Sequence, residues 1–512
     1  MRKLLGLING RIITFDPKIT EADGLIIDGD KFGFVGPKEK VKDLLKKRAP
    51  IIDLKGKTVI PGFIDSHTHL LSYGIEKKLR VDLSHCRSKQ DVLECIVNEI
   101  KKKGKGEKVI GINWDQSLWR KAPSNPREIF NRYELDRIAP FNPVVLRRIC
   151  GHIAFANSSA LKLIDRKFKI VDWNQGLLLE DVVSKINQIF WPDDYEISKA
   201  LDYAIEKAHQ LGITSIHEMV DQQTFNCYLK YYNNYRMKKI RTYAVFPIDY
   251  LDWLLNLGFR TGFGNEFLRI GGIKIYLDGS IGARTACLTQ DYLGDKGNKG
   301  LLLYPPGKLT NTIKKAEAYG FQILIHSIGD RATHTALRSF RTAGIEQNLL
   351  RHRIEHAELI ISDHDLDLIK QMDILISSQP NFIGNWGQIG GMYERYLGHH
   401  RWLRINRFRT LSQHRIKILF GSDCMPPSPL YGLYWALNHP VPKERIKLID
   451  ALKMYTINGA YGSFEEILKG SISANKIADL VILDGDLFNI EDIQKIKVFT
   501  TILGGEIVYQ RF

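Results

Sequence analysis

The residues of this chain that could do chemistry fall at the ends of short apolar runs. The first set is Asp65-Ser66-His67-Thr68-His69, which closes the run 62–66. In an extended segment, residues two apart share a face, so the imidazoles of His67 and His69 can reach one cation. Later runs carry Lys274 and end at His326, His356 and Asp423. A single histidine on a strand is ordinarily a hydrogen-bonded core or surface residue. Histidines and an aspartate at successive strand ends are different, because together they supply three or four N/O ligands. That donor set suits Zn²⁺ with one position left for water.

These residues need a frame that brings distant segments together. Eight apolar runs are candidate strands: 62–66, 213–218, 241–246, 271–277, 322–326, 352–356, 373–377 and 416–423. They alternate with helical segments, the pattern of parallel βαβ units. In a parallel barrel the strand ends meet on one rim, where barrel enzymes place their catalysis. The gap between the first two runs, about residues 80–200, is too long for a normal connection and holds its own strands, 109–112 and 143–147. An inserted subdomain over the barrel mouth is expected there.

Both ends of the chain read as β-structure. Short strands are expected at 5–7, 11–14, 24–28 and 32–35, with a turn at Asp28-Gly29-Asp30. A buried strand over 478–485 and a hairpin over 501–509 return to that texture. The expected organisation is α/β: a composite β-domain from 1–60 and 465–512, a (β/α)8 barrel from 61–80 and 200–464, and an insertion from 81–199.

The stretch Pro61-Gly62-Phe63-Ile64-Asp65-Ser66-His67-Thr68-His69 resembles the opening of the amidohydrolase superfamily. The ordered set that follows is similar to the amidohydrolase-3 family, which includes N-substituted formamide deformylases. It comprises Gly272-Ile273-Lys274 with Asp278-Gly279-Ser280, His326-Ser327-Ile328-Gly329-Asp330-Arg331-Ala332, Arg351-His352-Arg353-Ile354-Glu355-His356-Ala357 and Gly421-Ser422-Asp423. Gly470-Ser471-Ile472 and Lys476-Ile477-Ala478-Asp479-Leu480 match the family's return into its β-domain.

The resemblance covers nearly the whole chain. It implies a distorted (β/α)8 TIM barrel with a composite β-sandwich from both termini. It implies one or two Zn²⁺ per chain: His67, His69 and Asp423 around one ion, His326 and His356 around a second, and Lys274, carboxylated by CO₂, between them. Asp423 would be the general base. Without carboxylation, His67, His69, His326 and Asp423 would hold a single zinc, with His356 as an acid/base or orienting group. The oxyanion would be met by a metal and by a donor such as His152 or Arg353.

For the substrate, the stretch around His152 resembles the family's substrate-side histidine motif. Trp114, Trp119, Gln379 and Trp386 are candidate pocket-lining residues, and Asp278 and Arg284 are expected to form a loop-pinning ion pair or to touch substrate. Glu218 stands where relatives commonly show Asp.

Composition narrows the remaining classes. The formal charge is +16, yet the basic residues are dispersed. The densest run, Lys101-Lys102-Lys103-Gly104-Lys105, reads as a solvated helix end, so no nucleic-acid partner is expected. No run approaches the roughly 18 apolar residues of a membrane span. The basic N-terminus reads as a first strand rather than a signal segment, and a cytoplasmic enzyme is the expectation. Six cysteines without a C-x-x-C pair read as reduced core thiols. The expected reaction is hydrolysis of a non-peptide C–N bond (an amide, formamide or cyclic amide) in a small molecule. Lactone, ester or phosphotriester hydrolysis is the alternative chemistry, and a non-catalytic regulatory protein on the same barrel the alternative class. A homo-oligomer is left open.

Overall fold

The structure, a computed structural model, describes residues 4–46, 48–120, 125–149, 153–166, 171–179, 181–233, 239–488 and 493–511. Two compact units divide the chain: Met1–His69 with Ile205–Phe512, and Leu70–Ala204.

All eight runs expected as barrel strands form one sheet in the first unit. They are β1 (Phe63–Thr68), β2 (Ile213–Met219), β3 (Arg241–Pro247), β4 (Leu268–Tyr276), β5 (Ile323–Ser327), β6 (Arg353–His356), β7 (Leu375–Ser378) and β8 (Ile418–Phe420). Each pairs in parallel with the next. Every residue of β1 and β2 is buried, as expected where a sheet is covered on both faces. The register sets Tyr276 beside His326, and Ser327 beside His356, so the chemistry-bearing ends lie on a common rim.

The seam between β8 and β1 is closed without a β-ladder among the described residues. Ser66 Oγ donates to Phe420 O at 2.7 Å, and Asp65 accepts from Ser422 N at 2.9 Å and from the Ser422 hydroxyl. The Asp423 amide donates to His67 O at 2.8 Å. Gly421 is required by this approach, since a Cβ there would stand 2.5 Å from His67 N. The last strand is shorter than its apolar run. It stops at Phe420 because the chain turns out through Asp423 (φ 50°) and Cys424 (φ 59°), both left-handed.

The β-domain joins the two ends of the chain. Thr58–Pro61 pairs in parallel with Leu4–Ile13 and antiparallel with Leu480–Leu483, within an eight-stranded sheet. Its two wings share a core in which Leu7, Ile12, Leu25 and Phe32 meet Leu480, Ile482 and Ile502. The expected separate strands 5–7 and 11–14 merge, apart from Thr14, into the single strand Leu4–Ile13. Asn9 at φ 58° and a pairing shift between Ile8 and Ile12 make a bulge between the two expected strands.

Residues 70–204 build a six-stranded mixed sheet with a core on each face. Period-two alternation divides the side chains: Val109, Val144, Leu146 and Phe155 to one core, and Ile110, Ile112, Val145 and Ala154 to the other. Helix Lys89–Lys103 covers the first core with Val92 and Ile96, capped by Ser88, whose side chain accepts from Asp91 N. Lys101–Lys103 form its last turn, before Gly104 at φ 96°.

Candidate metal centre

The rim gathers His67, His69, Lys274, His326, His356 and Asp423, the metal-ligating candidates picked out in the sequence; His152 lies outside the described residues. His67, His356 and Asp423 each offer a ligand atom within 4.8 Å of the others. His69 Nε2 stands 3.3 Å from Asp423 Oδ1. The rings continue from His67 to His356 (4.7 Å between centroids) and from His356 to His326 (4.4 Å). His356 takes φ 71° at the end of β6, a left-handed turn that ends the extended backbone there.

Each imidazole is oriented by a hydrogen bond to one ring nitrogen. His67 Nδ1 donates to a Glu355 carboxylate oxygen, and His356 Nδ1 donates to Gln379 Oε1 at 2.8 Å. Both partners accept, so the proton sits on Nδ1 and Nε2 keeps its lone pair for a cation. His326 is oriented the other way. Its Nε2 donates to Gly279 O at 3.1 Å, which leaves the lone pair on Nδ1.

Burial holds these rings neutral. It drives His67 and His356 well below the usual imidazole range and takes His326 down to about 4, with the Lys274 ammonium adding in the same direction. His69 moves upward, because hydrogen bonding and charge from Asp423 outweigh its desolvation. Asp423 moves downward for the matching reason: desolvation opposes ionisation, but His69, His67 and Lys274 together prevail.

Lys274 is 2% exposed, and its Nζ has no hydrogen-bond partner among the described residues. Burial pulls its ammonium down to about 8, so roughly a tenth of it is neutral amine at pH 7, far more than for an exposed lysine. An unpartnered buried amine amid four histidines and a carboxylate is a costly arrangement for a metal-free core. The residues present fit a divalent ion held by N and O donors.

Several expectations about the surroundings are corrected. Arg353, expected as an oxyanion donor, is fully buried and fully engaged. Its Nε donates to Glu355 Oε1 at 2.8 Å, Nη1 to His217 Nδ1 at 2.8 Å and Nη2 to Ser66 O at 3.2 Å. Trp114, expected to line the pocket, belongs to the core of residues 70–204. Asn113 at φ 64° breaks the period-two alternation and turns Trp114 to the Val109 side, where its Nε1 donates to Leu146 O at 3.0 Å. Trp119 joins it there.

Arg284 (φ 55°) pairs with Asp295 at 3.1 Å and lies over the Tyr396 ring rather than meeting Asp278. Asp278 instead accepts three backbone amides, from Cys287, Ile328 and Gly329, and so ties the loop after β4 to the end of β5. Gln379 is the partner of His356. Beyond it Phe382 stacks on His356 at 6.0 Å, and Trp386 packs on Phe382 at 4.9 Å.

Glu355 and His217 were missed in the sequence, although a signal was there. Arg353-Ile354-Glu355 alternates charge and apolar side chain on a buried strand, which puts both charges on one face, and buried charges are paired.

A parallel barrel whose rim carries a set of neutral imidazoles, a carboxylate and a buried lysine is the framework of a metal-dependent hydrolase. The chain belongs to the amidohydrolase family, whose description matches residues 50–509. It is 30% identical to an uncharacterized metal-dependent hydrolase from Pyrococcus furiosus, with a TM-score of 0.82 over 94% of this chain and 99% of that one. It is 26% identical to the N-substituted formamide deformylase of Arthrobacter pascens, over 100% of this chain and 99% of that protein. It is 28% identical to Protein LONG AFTER FAR-RED 3 of Arabidopsis thaliana, over 98% of this chain and 91% of that protein. No helix among the described residues is long and apolar enough to cross a membrane.

Proposed function

We propose that the protein hydrolyses a non-peptide C–N bond in a small molecule, with His67, His69, Lys274, His326, His356 and Asp423 as the metal-holding set. The observation that carries the reading is the shared bonding pattern of His67, His356 and His326: each gives one nitrogen to a protein acceptor and keeps a lone pair on the other. The full-length likeness to a formamide deformylase supports a C–N substrate over an ester or phosphotriester. A divalent cation, with zinc the best match to these donors, supplies a water of lowered pKa and polarises the scissile carbonyl.

The chain's own residues do the rest. Asp423 is ionised at neutral pH, and its side chain is 17% exposed, so it can take the proton of the attacking water and hand it to the leaving amine. His69, hydrogen-bonded to Asp423, stabilises the ionised form between these transfers. Glu355 and Gln379 fix the tautomers of His67 and His356, and Arg353 holds Glu355 in place.

Lys274 is suited to carboxylation. Its neutral Nζ adds to the carbon of CO₂, a C–N bond forms, one N–H proton is released, and the product is a carbamate anion that can ligand cations as a carboxylate does. Incubation with ¹³C-bicarbonate should give a carbamate carbon resonance that is absent in Lys274→Ala. Metal-loaded protein should then cleave N-formyl or N-acyl amines. Turnover of esters, lactones or phosphotriesters but of no amide would overturn the C–N assignment.

A further inference from the structure

Residues 70–204 hold a second cluster of metal-ligating atoms that the catalytic reading does not use. His85, Cys86 and Cys95 each offer one ligand atom within 4.8 Å of the others. Cys86 Sγ lies 3.9 Å from Cys95 Sγ, and Cys95 Sγ lies 3.6 Å from His85 Nε2. With Zn–S near 2.3 Å and Zn–N near 2.0–2.1 Å, a regular tetrahedron has S···S edges of about 3.8 Å and S···N edges of about 3.5 Å. Both separations match edges of that tetrahedron.

Local structure sets this arrangement. Cys86 N donates to Leu83 O at 3.1 Å, closing a turn just before the helix. Arg87 fastens the same turn, with Nη1 donating to Ser84 O at 2.9 Å and to Cys86 O at 3.1 Å. Ser88 then starts the helix Lys89–Lys103, and Cys95 lies nearly two turns along it, partly buried on the core side. Cys86 is buried at 2%, whereas His85 is exposed, so the cluster sits at the surface with one side open to solvent. Two thiols and an imidazole are soft and borderline donors, unlike the N/O set of the barrel rim.

We propose that His85, Cys86 and Cys95 form a second cation site, selective for zinc-like ions, that staples the 83–88 turn to the helix behind it. Binding replaces two S–H bonds with two metal–thiolate bonds and releases two protons, while His85 binds as the neutral imidazole. The fourth position is open to water or an exogenous donor.

Cobalt(II) titration of the full-length, metal-stripped protein in a phosphine-reduced buffer tests this. Thiolate bound to cobalt gives an intense near-ultraviolet charge-transfer band that nitrogen and oxygen donors do not give. The expected result is a saturable band that zinc displaces, that Cys95→Ser abolishes, and that persists in Asp423→Asn. His85→Gln should weaken cobalt binding with a shifted spectrum. Because Cys95 and His85 are less buried than Cys86, these variants test the site without disturbing the buried thiol. The proposal is overturned if reduced wild-type protein shows no band at excess cobalt, or if the band survives in Cys95→Ser.

Discussion

Replacing Glu355 with glutamine separates the buried network under the rim from the ligands themselves. The side chain keeps its size and loses its charge. If the new amide oxygen faces His67 Nδ1, the amide NH₂ meets Arg353 Nε, donor against donor. If the amide is turned the other way, its NH₂ meets His67 Nδ1 and drives the ring proton to Nε2, the nitrogen left for a cation. Either orientation loses a partner that is completely buried, since Glu355 and Arg353 both have side chains at 0% exposure.

Breaking one member of a buried ion pair costs about 3–5 kcal/mol of stability. Loss of a partner that orients a metal-binding histidine lowers metal affinity by about 10–100-fold, or roughly 1.4–2.7 kcal/mol. Zinc competition against a chromophoric chelator reads the second effect, and urea unfolding of the metal-free protein reads the first. Wild-type zinc affinity within twofold, together with an unchanged urea midpoint, would show that Glu355 neither orients His67 nor carries the Arg353 charge.

Three further outcomes follow from the same geometry. Asp423→Asn should lower kcat by about 10²–10⁴-fold, the usual worth of a general base, with metal content measured alongside because Asp423 is also a proposed ligand. Trp114→Ala should cost about 3–5 kcal/mol as a large core truncation, while KM of the surviving folded enzyme stays unchanged; a raised KM at full stability would return Trp114 to the substrate pocket. Burial takes His439 down to about 4. Between pH 6.5 and about 4 the unfolded state therefore binds a proton that the folded state does not, and stability falls as pH falls through that window. His439→Gln keeps an acceptor for Val441 N and removes the titration. Its metal-free form should lose about 3 kcal/mol less than wild type over that range, measured as the pH dependence of unfolding free energy in urea.

The rim was legible because its residues are short polar punctuation at the ends of apolar strands, a pattern that survives without coordinates. Lys274 between Ile273 and Ile275 stood out for the same reason. Side-chain partnership was less legible. Arg353 sits in the same motif as the candidate ligand His356, yet whether it faces the cavity or the layer beneath depends on strand alternation and on the φ reversal at His356. Trp114 is turned into the core of residues 70–204 by a single left-handed residue, Asn113, that no periodicity argument foresees. The Asn9 bulge fused two expected strands in the same manner. His85, Cys86 and Cys95 escaped notice because a turn and nearly two turns of helix, not a short motif, bring their side chains together.

The glycine-tight meeting of β8 with β1 puts His67 and His69 on one lip of the join and Asp423 on the other. A cation held by these three would act as a clasp across the junction that carries no ladder among the described residues, tying segments more than three hundred residues apart. Such a centre cannot exist on a partly synthesised chain: the eighth strand must first arrive beside the first. Ion capture then becomes a report that the ring has closed, and loss of the ion should loosen that junction before any other part of the barrel.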